Sequence, residues 1–399
     1  MTGTSRLSVL AVTSLFPTNV DPTYAPFNRL QFGALAKFAD VSVVGVVPWR
    51  YGRWYARGSS AGVVRDEIID SLRVVHPRYP SIPGVPSLNA GLMALAILPQ
   101  VARQARETRP DVLLASYGYP DGCACVVLGA LLRIPVVVKC HGSDLNRVPN
   151  DLPAGFQIRR LLKRAAAVVV VSRNLMARAR VLGIPDARLR VVYNGIDRDR
   201  FHPADRTAAR RRLGLPEDRE LVLYLGHIAE HKGILELAEA ARLLHARRPR
   251  AMVLFVGDGP LGERMRERTR PGGDLAGMAL AFQTVPHAAV PGWMSAADVL
   301  CLPSWAEGMP NVVREAHACG RPVVATDVGG IPEAVHAAGL GTLVPPRDPA
   351  RLAQALAERL EGAAGASPEA IAALARVPTW EDSARALHTV LAEAAGAPR

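Results

Sequence analysis

Residues 299–328 read VLCLPSWAEGMPNVVREAHACGRPVVATDV, and the order of apolar and polar segments here indicates the fold class. It begins with the apolar run Val299–Pro303, crosses a polar loop, and resumes as a helical segment that Pro310 opens and Gly320 closes. A second apolar run, Pro322–Val328, follows at once. A strand, a helix and a strand in this order predict a βαβ unit with two parallel strands.

The same alternation of apolar runs and helical patterns extends from this unit along most of the chain. Val-rich runs without polar/apolar alternation indicate strands buried on both faces, as in parallel sheets. Each half of the chain therefore predicts one doubly wound sheet of about six strands. The runs are Ser8–Phe16, Val41–Pro48, Val112–Gly118, Val136–Gly142, Ala167–Ser172 and Val191–Gly195, then Leu221–His227, Met252–Asp258, Met278–Val285, Val299–Ser304, Pro322–Val328 and Gly341–Val344.

One segment separates the two predicted domains, and another interrupts the first of them. The Arg- and Asp-rich segment 197–219 separates the two series of strands, and residues 49–90 predict an irregular insertion or a mobile loop in the first half. We expect a Rossmann-like N-terminal domain over residues 1–200, a Rossmann-like C-terminal domain over 201–378, and a last helix over 379–399 with Thr379 as its N-cap. The predicted fold class is α/β, with two doubly wound parallel sheets that face each other across a cleft.

Composition narrows the class of protein. The 48 basic and 36 acidic residues give a formal charge of +12, and 44 of the basic residues are Arg. A basic surface attracts nucleic acid, anionic lipid or phosphorylated ligands. Because aromatic residues are scarce and the chain has no nucleic-acid-binding motif, nucleic acid is the least favoured of the three. The chain shows no signal-peptide pattern, no apolar run that would span a bilayer, and no metal-type CxxC pair among its five Cys. We therefore expect a cytoplasmic protein.

The loop and helix after Val299–Pro303 carry the strongest candidate site. N–H groups at a helix start, helped by the helix dipole, are able to hold a phosphate, and two carboxylates, Glu307 and Glu315, flank them. Carboxylates accept hydrogen bonds from hydroxyls, so the segment fits a sugar nucleotide. The alternative is that one Glu compensates the dipole and the other lies on the surface. The helix start comprises Gly308, Met309, Pro310 and Asn311.

Two other strand ends carry candidate polar groups. Lys232, one of only four lysines, lies at a turn between a strand and a helix, a position typical of a phosphate contact or of a solvated surface lysine. His227 precedes it in the same turn, as a switchable donor or a capped loop residue. In the first half, the sequence Lys139–Asp144 ends a strand and places His141 at the carboxyl edge of the sheet. His141 is there a hydrogen-bond donor, an acid/base group or a structural residue.

Residues Gly257–Gly262 match G-x-G-x-x-G, the pattern of a dinucleotide site. Such a site needs an acidic residue at the end of the next strand, which instead ends in Gln283-Thr284, and Pro260 stands where the helix should begin. The sequence therefore disfavours NAD or FAD, and it offers no ligand set for a metal.

These motifs together resemble those of glycosyltransferase family 4, retaining enzymes with the GT-B fold. The resemblance covers most of the chain and is densest from Val168 to Gly330. The chain has His227 where the family often has Arg, and its first loop, Phe16–Phe27, lacks the glycine-rich sequence and resembles a bacterial surface-polysaccharide subgroup. The matching pieces, in order, are Val171-Ser172, Asn194–Asp197 with Phe201, Gly226 with Lys232-Gly233, Val256–Leu261, Ala297-Asp298, Glu307 with Glu315, Gly320 with Pro322, and Gly329-Gly330.

The resemblance implies a role for each candidate residue. Glu307 and His141 would be catalytic, the first contacting hydroxyls of the transferred sugar and the second lying near the anomeric centre and assisting the acceptor. Glu315 would bind the nucleotide ribose, and the helix start with Lys232 and His227 would hold the diphosphate. No metal or other cofactor is implied, and the leaving phosphate would help to deprotonate the acceptor hydroxyl. The acceptor site would be shaped by Phe27, Asn28, Arg29 and Asp144.

The resulting prediction is a transferase that moves a hexose from a UDP- or GDP-hexose to a glycan or polyprenyl-linked acceptor during synthesis of a cell-surface polysaccharide. A GT-B-fold sugar-nucleotide epimerase and a catalytically weak, glycan-binding partner subunit are the alternatives. The basic segment Arg159–Arg164 also predicts docking of a peripheral protein on the anionic inner face of the cell membrane. Nucleic acid is not an expected partner.

Overall fold

A computed structural model describes residues 6–50, 62–82, 85–146, 148, 152–362 and 366–396. The chain divides into two compact units: unit 1 comprises Met1–Gly195 with Trp380–Arg399, and unit 2 comprises Ile196–Thr379. The expected domain limits lie within a few residues of these divisions. Each unit has helices packed on a largely parallel sheet, which confirms the predicted α/β class.

The main sheet of unit 1 is built around β1. Its strands run in the order β10-β9-β8-β7-β1-β2-β5-β4, and β4 pairs antiparallel to β5, while β3 and β6 form a separate parallel pair. Because β1 lies between β2 and β7, the direction of winding reverses there, and ligands of open α/β sheets bind beside such a point. The strands are β1 (Leu7–Thr13), β2 (Ala39–Gly45), β3 (Val47–Arg50), β4 (Asp66–Ile69), β5 (Leu72–Val75), β6 (Arg78–Ser81), β7 (Val112–Ser116), β8 (Val136–Cys140), β9 (Ala167–Val170) and β10 (Leu189–Val191).

The expectation of about six strands was wrong for the first half, and so was that of an irregular insertion for the described part of 49–90; residues 51–61 and 83–84 lie outside the described residues. Strands β4 and β5 extend the sheet of unit 1 within that region, and Leu72 and Val74 of β5 are fully buried. Each of these strands has only four residues and lies near prolines and glycines. Such short runs give too few positions for a periodic pattern to be recognised.

The last helix belongs to unit 1, where it packs on the first. Helix α15 contributes Ala384, Leu387 and Leu391 to the core, and the Gln31 amide of α1 donates to the Ser383 hydroxyl of α15 at 2.9 Å. The helices of unit 1 are α1 (Pro26–Leu35), α2 (Asn89–Thr108), α3 (Cys123–Leu132), α4 (Ser143–Asn146), α5 (Leu152–Leu161), α6 (Arg173–Val181) and α15 (Trp380–Gly396).

The sheet of unit 2 has the six parallel strands that its apolar runs predict, in the order β13-β12-β11-β14-β15-β16. The winding reverses between β11 and β14. The strands are β11 (Glu220–Leu225), β12 (Ala251–Val256), β13 (Ala279–Phe282), β14 (Val299–Leu302), β15 (Val323–Thr326) and β16 (Gly341–Val344). The helices are α7 (Arg206–Leu213), α8 (Ile234–Arg247), α9 (Gly262–Thr269), α10 (Val290–Ala296), α11 (Asn311–Ala318), α12 (Ile331–Ala334), α13 (Pro349–Glu361) and α14 (Pro368–Ala375).

Candidate active site

In unit 2, an ion pair lies where the winding of the sheet reverses. The loops after β11 and β14 leave neighbouring strands at the same edge, and they carry Lys232 and Glu307 respectively. The Lys232 Nζ donates to Glu307 Oε1 at 2.6 Å, and the Ser304 hydroxyl donates to the same oxygen at 2.7 Å. The side chains of Lys232 and Glu307 are 24% and 13% exposed, so both charges remain accessible to a ligand.

The backbone around Glu307 is held from two sides. The Trp305 N–H donates to the His231 carbonyl at 3.0 Å, and the Thr326 hydroxyl donates to the Ser304 carbonyl at 2.5 Å. Gly329 has a φ of +58°, and a Cβ at that position would lie 1.9 Å from the Glu307 carbonyl oxygen. A glycine is required there because any side chain would displace the loop that carries Glu307.

Helix α11 follows this loop directly. Pro310 is buried at its N-cap and lacks the N–H that would otherwise need a partner, while Gly308 and Asn311 are half-buried. Glu315, in the second turn, has Oε1 at 3.4 Å from His287 Nε2 and is 14% exposed. Two of the predicted donor-binding residues thus lie in different groups: Lys232 is in the Lys232–Ser304–Glu307 cluster, and Glu315 pairs with His287, a histidine that the sequence did not single out.

His227 lies exposed on the loop after β11, and its backbone carbonyl accepts the Tyr224 hydroxyl at 2.8 Å. The first two glycines of the G-x-G-x-x-G match, Gly257 and Gly259, lie against this loop. A Cβ on Gly257 would lie 1.9 Å from the Gly226 carbonyl oxygen, and one on Gly259 would lie 2.9 Å from His227 Cε1. Close packing of two loops therefore accounts for these glycines without a dinucleotide.

In unit 1, a second group of predicted residues meets at the ends of β7 and β8. His141 follows β8, and its Nε2 lies 2.9 Å from the Ser116 hydroxyl at the end of β7. The Phe27 ring on α1 packs on the imidazole with 4.7 Å between centroids. Asn28, also on α1, is fully buried, with Ser116 Oγ at 2.7 Å from its Oδ1 and Leu15 O at 2.8 Å from its Nδ2. Sequence analysis did not identify Ser116.

Two predicted acceptor residues have internal partners. The fully buried Asp144 carboxylate accepts from the backbone N–H groups of Gly118 at 2.9 Å and of Gly142 at 2.7 Å, and also from that of His141. Arg29 forms a two-bond ion pair with Asp70, at 2.6 and 2.8 Å. Asp144 therefore organises the loop that carries His141, and contacts of either side chain with an acceptor stay a prediction.

A buried lysine lies next to this group. Lys139, fully buried at the end of β8, donates to Gln31 Oε1, and it donates to Asn194 Oδ1 at 2.9 Å. Burial, and secondly the charge of Lys139, hold the pKa of His141 well below its usual value, so the ring is neutral at pH 7. The scarcity of lysine, which drew attention to Lys232, is a signal that also identifies Lys139.

Asp121 is a further buried titratable group of unit 1, and its carboxyl group has hydrogen-bond partners within the protein. Asp121 accepts from the backbone N–H and hydroxyl of Ser14 at 2.7 and 2.9 Å, and burial raises the pKa of Asp121 to about 7.

Within the residues that the structure describes, no group of three His, Cys, Asp or Glu side chains could hold a metal ion.

Two family models match the chain: Glycosyltransferase Family 4 over residues 33–200, and Glycosyl transferases group 1 over residues 219–362. TuaC of Bacillus subtilis, named as a teichuronic acid biosynthesis glycosyltransferase, is 32% identical over 333 residues, which cover 82% of each chain. The chain is a family 4 glycosyltransferase. This glycosyltransferase is also 32% identical, over 72% of its length and 71% of the relative, to the 2-deoxystreptamine N-acetyl-D-glucosaminyltransferase of Streptomyces fradiae.

The fold of the glycosyltransferase matches solved structures over nearly its whole length. Anabaena Alr3699/HepE in complex with UDP superposes with a TM-score of 0.73 at 20% identity, covering 97% of this chain and 100% of HepE. WaaG, a glycosyltransferase involved in lipopolysaccharide biosynthesis, superposes with a TM-score of 0.69 at 16% identity, covering 96% and 99%. These likenesses confirm the predicted GT-B fold class.

Proposed function

We propose that this glycosyltransferase moves a hexose from a nucleotide-sugar donor to a glycan or polyprenyl-linked acceptor of a cell-surface polysaccharide, with retention of configuration and without a metal. The observation that carries the proposal is the accessible Lys232–Glu307 pair in front of α11. An ammonium fits a diphosphate as a point charge, and a carboxylate fits the hydroxyls of a sugar. The names of TuaC and of the colanic acid enzyme WcaL of Escherichia coli support the polysaccharide, and HepE, solved with UDP and with UDP-glucose, supports a UDP-sugar.

The remaining predicted roles follow from this assignment. Glu315 binds the ribose, and the α11 start with His227 completes the diphosphate site. His141 acts on the acceptor side, near the anomeric carbon. The charge of Lys232 then stabilises the leaving diphosphate, where negative charge develops during transfer.

A thermal-shift panel of UDP-, GDP- and ADP-sugars tests the donor site. A sugar nucleotide at 100 times its Kd adds about 2.7 kcal/mol to the stability of the folded chain. Lys232→Met should abolish most of the shift, whereas Lys37→Met, which removes an exposed lysine paired with Glu381, should leave it unchanged. Absence of a shift with every donor, or equal shifts in the two variants, would contradict the proposal.

Product analysis tests the reaction. With the stabilising donor and a polyprenyl-linked or glycan acceptor, we expect a glycoside with the donor's anomeric configuration, formed equally well in EDTA. Release of a C2-epimerised sugar without acceptor would instead identify an epimerase. Binding of glycans without any turnover would identify a non-catalytic partner subunit.

The proposal includes docking on an anionic membrane surface. Helix α5 and the turn after it expose Phe156, Arg160 and Lys163. Leu162, which also lies in the predicted basic segment, is fully buried and is not available to a membrane. The neighbouring helix α3 exposes Leu131, so an apolar pair, Phe156 at 60% and Leu131 at 64% exposure, lies on contacting helices of unit 1. Apolar side chains flanked by cations fit the interfacial region of an anionic bilayer. None of the helices in the described part of the chain is long and apolar enough to cross a membrane.

Vesicle flotation tests this docking surface. The chain should float with phosphatidylcholine vesicles that contain phosphatidylglycerol and should float less with phosphatidylcholine alone. Phe156→Ser and Arg160→Glu should each reduce flotation, whereas Val181→Ser, a change of an exposed valine on α6, should not. Flotation that does not depend on anionic lipid would refute the proposed surface.

A further inference from the structure

The hydrogen bonds around Asn28 have a fixed direction. The Leu15 carbonyl oxygen, 2.8 Å from the Asn28 amide, has no proton and only accepts, so the amide nitrogen must face it. The amide oxygen, Oδ1, then faces the Ser116 hydroxyl at 2.7 Å. Oδ1 has no proton either, so the hydroxyl of Ser116 donates to Asn28. Both side chains are fully buried, and no solvent competes for these bonds.

This direction continues to His141. The hydroxyl of Ser116 has a single proton, and that proton is used toward Asn28. His141 Nε2, 2.9 Å from Ser116 Oγ, therefore meets a lone pair and must itself donate. A neutral imidazole that carries its proton on Nε2 has an unprotonated Nδ1.

We propose that Asn28 and Ser116 are positioning residues that fix the protonated nitrogen of His141 as Nε2 and present Nδ1 to the substrate as a hydrogen-bond acceptor. The inference rests on the proposed function in that His141 meets substrate. The ring is held against Phe27, and the backbone N–H of His141 is held by Asp144 at 3.0 Å. No partner of Nδ1 is found among the residues that the structure describes.

The assignment decides what the ring is able to do. An unprotonated Nδ1 accepts a hydrogen bond from a sugar or acceptor hydroxyl, and it repels a phosphate oxygen. The sequence left three roles open for His141: a hydrogen-bond donor, an acid/base group or a structural residue. The tautomer inferred here opposes donation from Nδ1 and favours acceptance of a hydrogen bond from a hydroxyl. Burial of the ring, and secondly the charge of Lys139, oppose a second proton on His141. The ring therefore stays neutral, and Nδ1 remains a hydrogen-bond acceptor.

Nitrogen NMR of the free protein tests the assignment directly. In protein labelled with ring-15N histidine, long-range proton–nitrogen correlations distinguish a protonated from an unprotonated ring nitrogen, and His141→Gln identifies the signals of His141. We expect a protonated Nε2 and an unprotonated Nδ1 in the wild type. A proton on Nδ1 would overturn the proposal, and this spectrum needs no variant that alters the core.

Variants test the cause. Asn28→Leu frees the Ser116 hydroxyl to rotate and to donate to Nε2, so the second tautomer becomes populated and the two nitrogen shifts move toward each other. Ser143→Ala removes a hydroxyl that contacts Tyr117 at 2.7 Å, two residues from His141, and should leave both shifts in place. Shifts unchanged in a folded Asn28→Leu protein would show that Asn28 and Ser116 do not control the ring.

Activity separates this inference from the proposed function. Asn28→Leu should lower kcat/KM for transfer about 10- to 100-fold, the loss seen when the partner that orients a functional histidine is removed from a metal site. The Kd of UDP or GDP, which lacks the sugar, should change by less than about twofold in the same variant, because the proposed diphosphate residues belong to unit 2. If the thermal-shift panel fails, the proposed function fails while the NMR result still decides the tautomer.

Discussion

Replacing Glu307 with Gln is expected to strengthen binding of a nucleoside diphosphate while it weakens sugar transfer. In the free protein, Glu307 Oε1 holds Lys232 Nζ at 2.6 Å, so the carboxylate competes with a diphosphate for the same ammonium. Gln keeps the length of the side chain and an oxygen that accepts from Ser304. It removes the negative charge, and Lys232 then meets the diphosphate without a competing counter-ion.

The expected change in diphosphate affinity follows from the kind of hydrogen bond that Glu307→Gln removes. The difference between a charge-assisted and a neutral hydrogen bond is about 0.5–2 kcal/mol, and 1.4 kcal/mol is about a factor of ten, so the diphosphate should bind about 2- to 30-fold more tightly. Neither partner is more than a quarter exposed, so water screens only part of this energy. The Gln oxygen still accepts from a sugar hydroxyl, so transfer loses the same difference of about 0.5–2 kcal/mol at that contact, and kcat/KM should fall about 2- to 30-fold.

Isothermal titration with UDP, GDP and ADP, beside steady-state transfer rates, measures both effects. Lys232→Met should weaken the same diphosphate that Glu307→Gln strengthens. Glu230→Gln makes the same charge change at an exposed position of the Lys232 loop and should alter neither quantity. Weaker binding of the diphosphate in both Glu307→Gln and Lys232→Met would contradict this prediction, because the two side chains would then be acting together on the diphosphate.

Three further changes test the scaffold. Lys139→Met removes a cation that lowers the pKa of His141, so this pKa rises and the acid limb of the kcat/KM–pH profile should move to higher pH; an unmoved limb would exclude a role of the neutral ring. Gln31→Leu removes an acceptor of the buried Lys139 ammonium and should cost about 1.5–3 kcal/mol in chemical denaturation. Gly329→Ala places a side chain in left-handed backbone at a cost of about 1–2 kcal/mol, and it should lower transfer further by displacing Glu307, measured as a melting temperature and a rate.

The sequence predicted the six strands of unit 2 and six strands of the main sheet of unit 1, because most of them lie in apolar runs long enough to be recognised, and it missed the short β4 and β5. It identified Lys232 and Glu307 separately, as residues at the ends of β11 and β14, but spacing alone does not show that two residues 75 positions apart touch. Their contact follows from the strand order, since β11 and β14 are neighbours although β12 and β13 lie between them in the chain.

The roles of Asn28 and Asp144 were harder to predict. Both lie in motifs that the family resemblance assigns to the acceptor, and both are fully buried, with internal partners for their polar atoms. Burial of a polar side chain depends on what packs around it, and the local sequence of α1 or of the His141 loop does not contain that information. Ser116 was missed for the same reason, since a serine at the end of a strand is common and its two partners come from distant elements.

The two strand-edge sites meet the cost of desolvating charge in different ways. In unit 1 the Lys139 ammonium and the Asp144 carboxylate are fully buried, and neutral amide groups satisfy them, so their geometry is fixed before any ligand arrives. In unit 2 Lys232 and Glu307 are 24% and 13% exposed and neutralise each other, so a ligand that reaches them is able to replace one charged partner with another. The fixed arrangement in unit 1 suits His141, whose proton must stay on one nitrogen. The Lys232–Glu307 pair suits a site in which the ammonium must turn to a diphosphate and the carboxylate to a sugar.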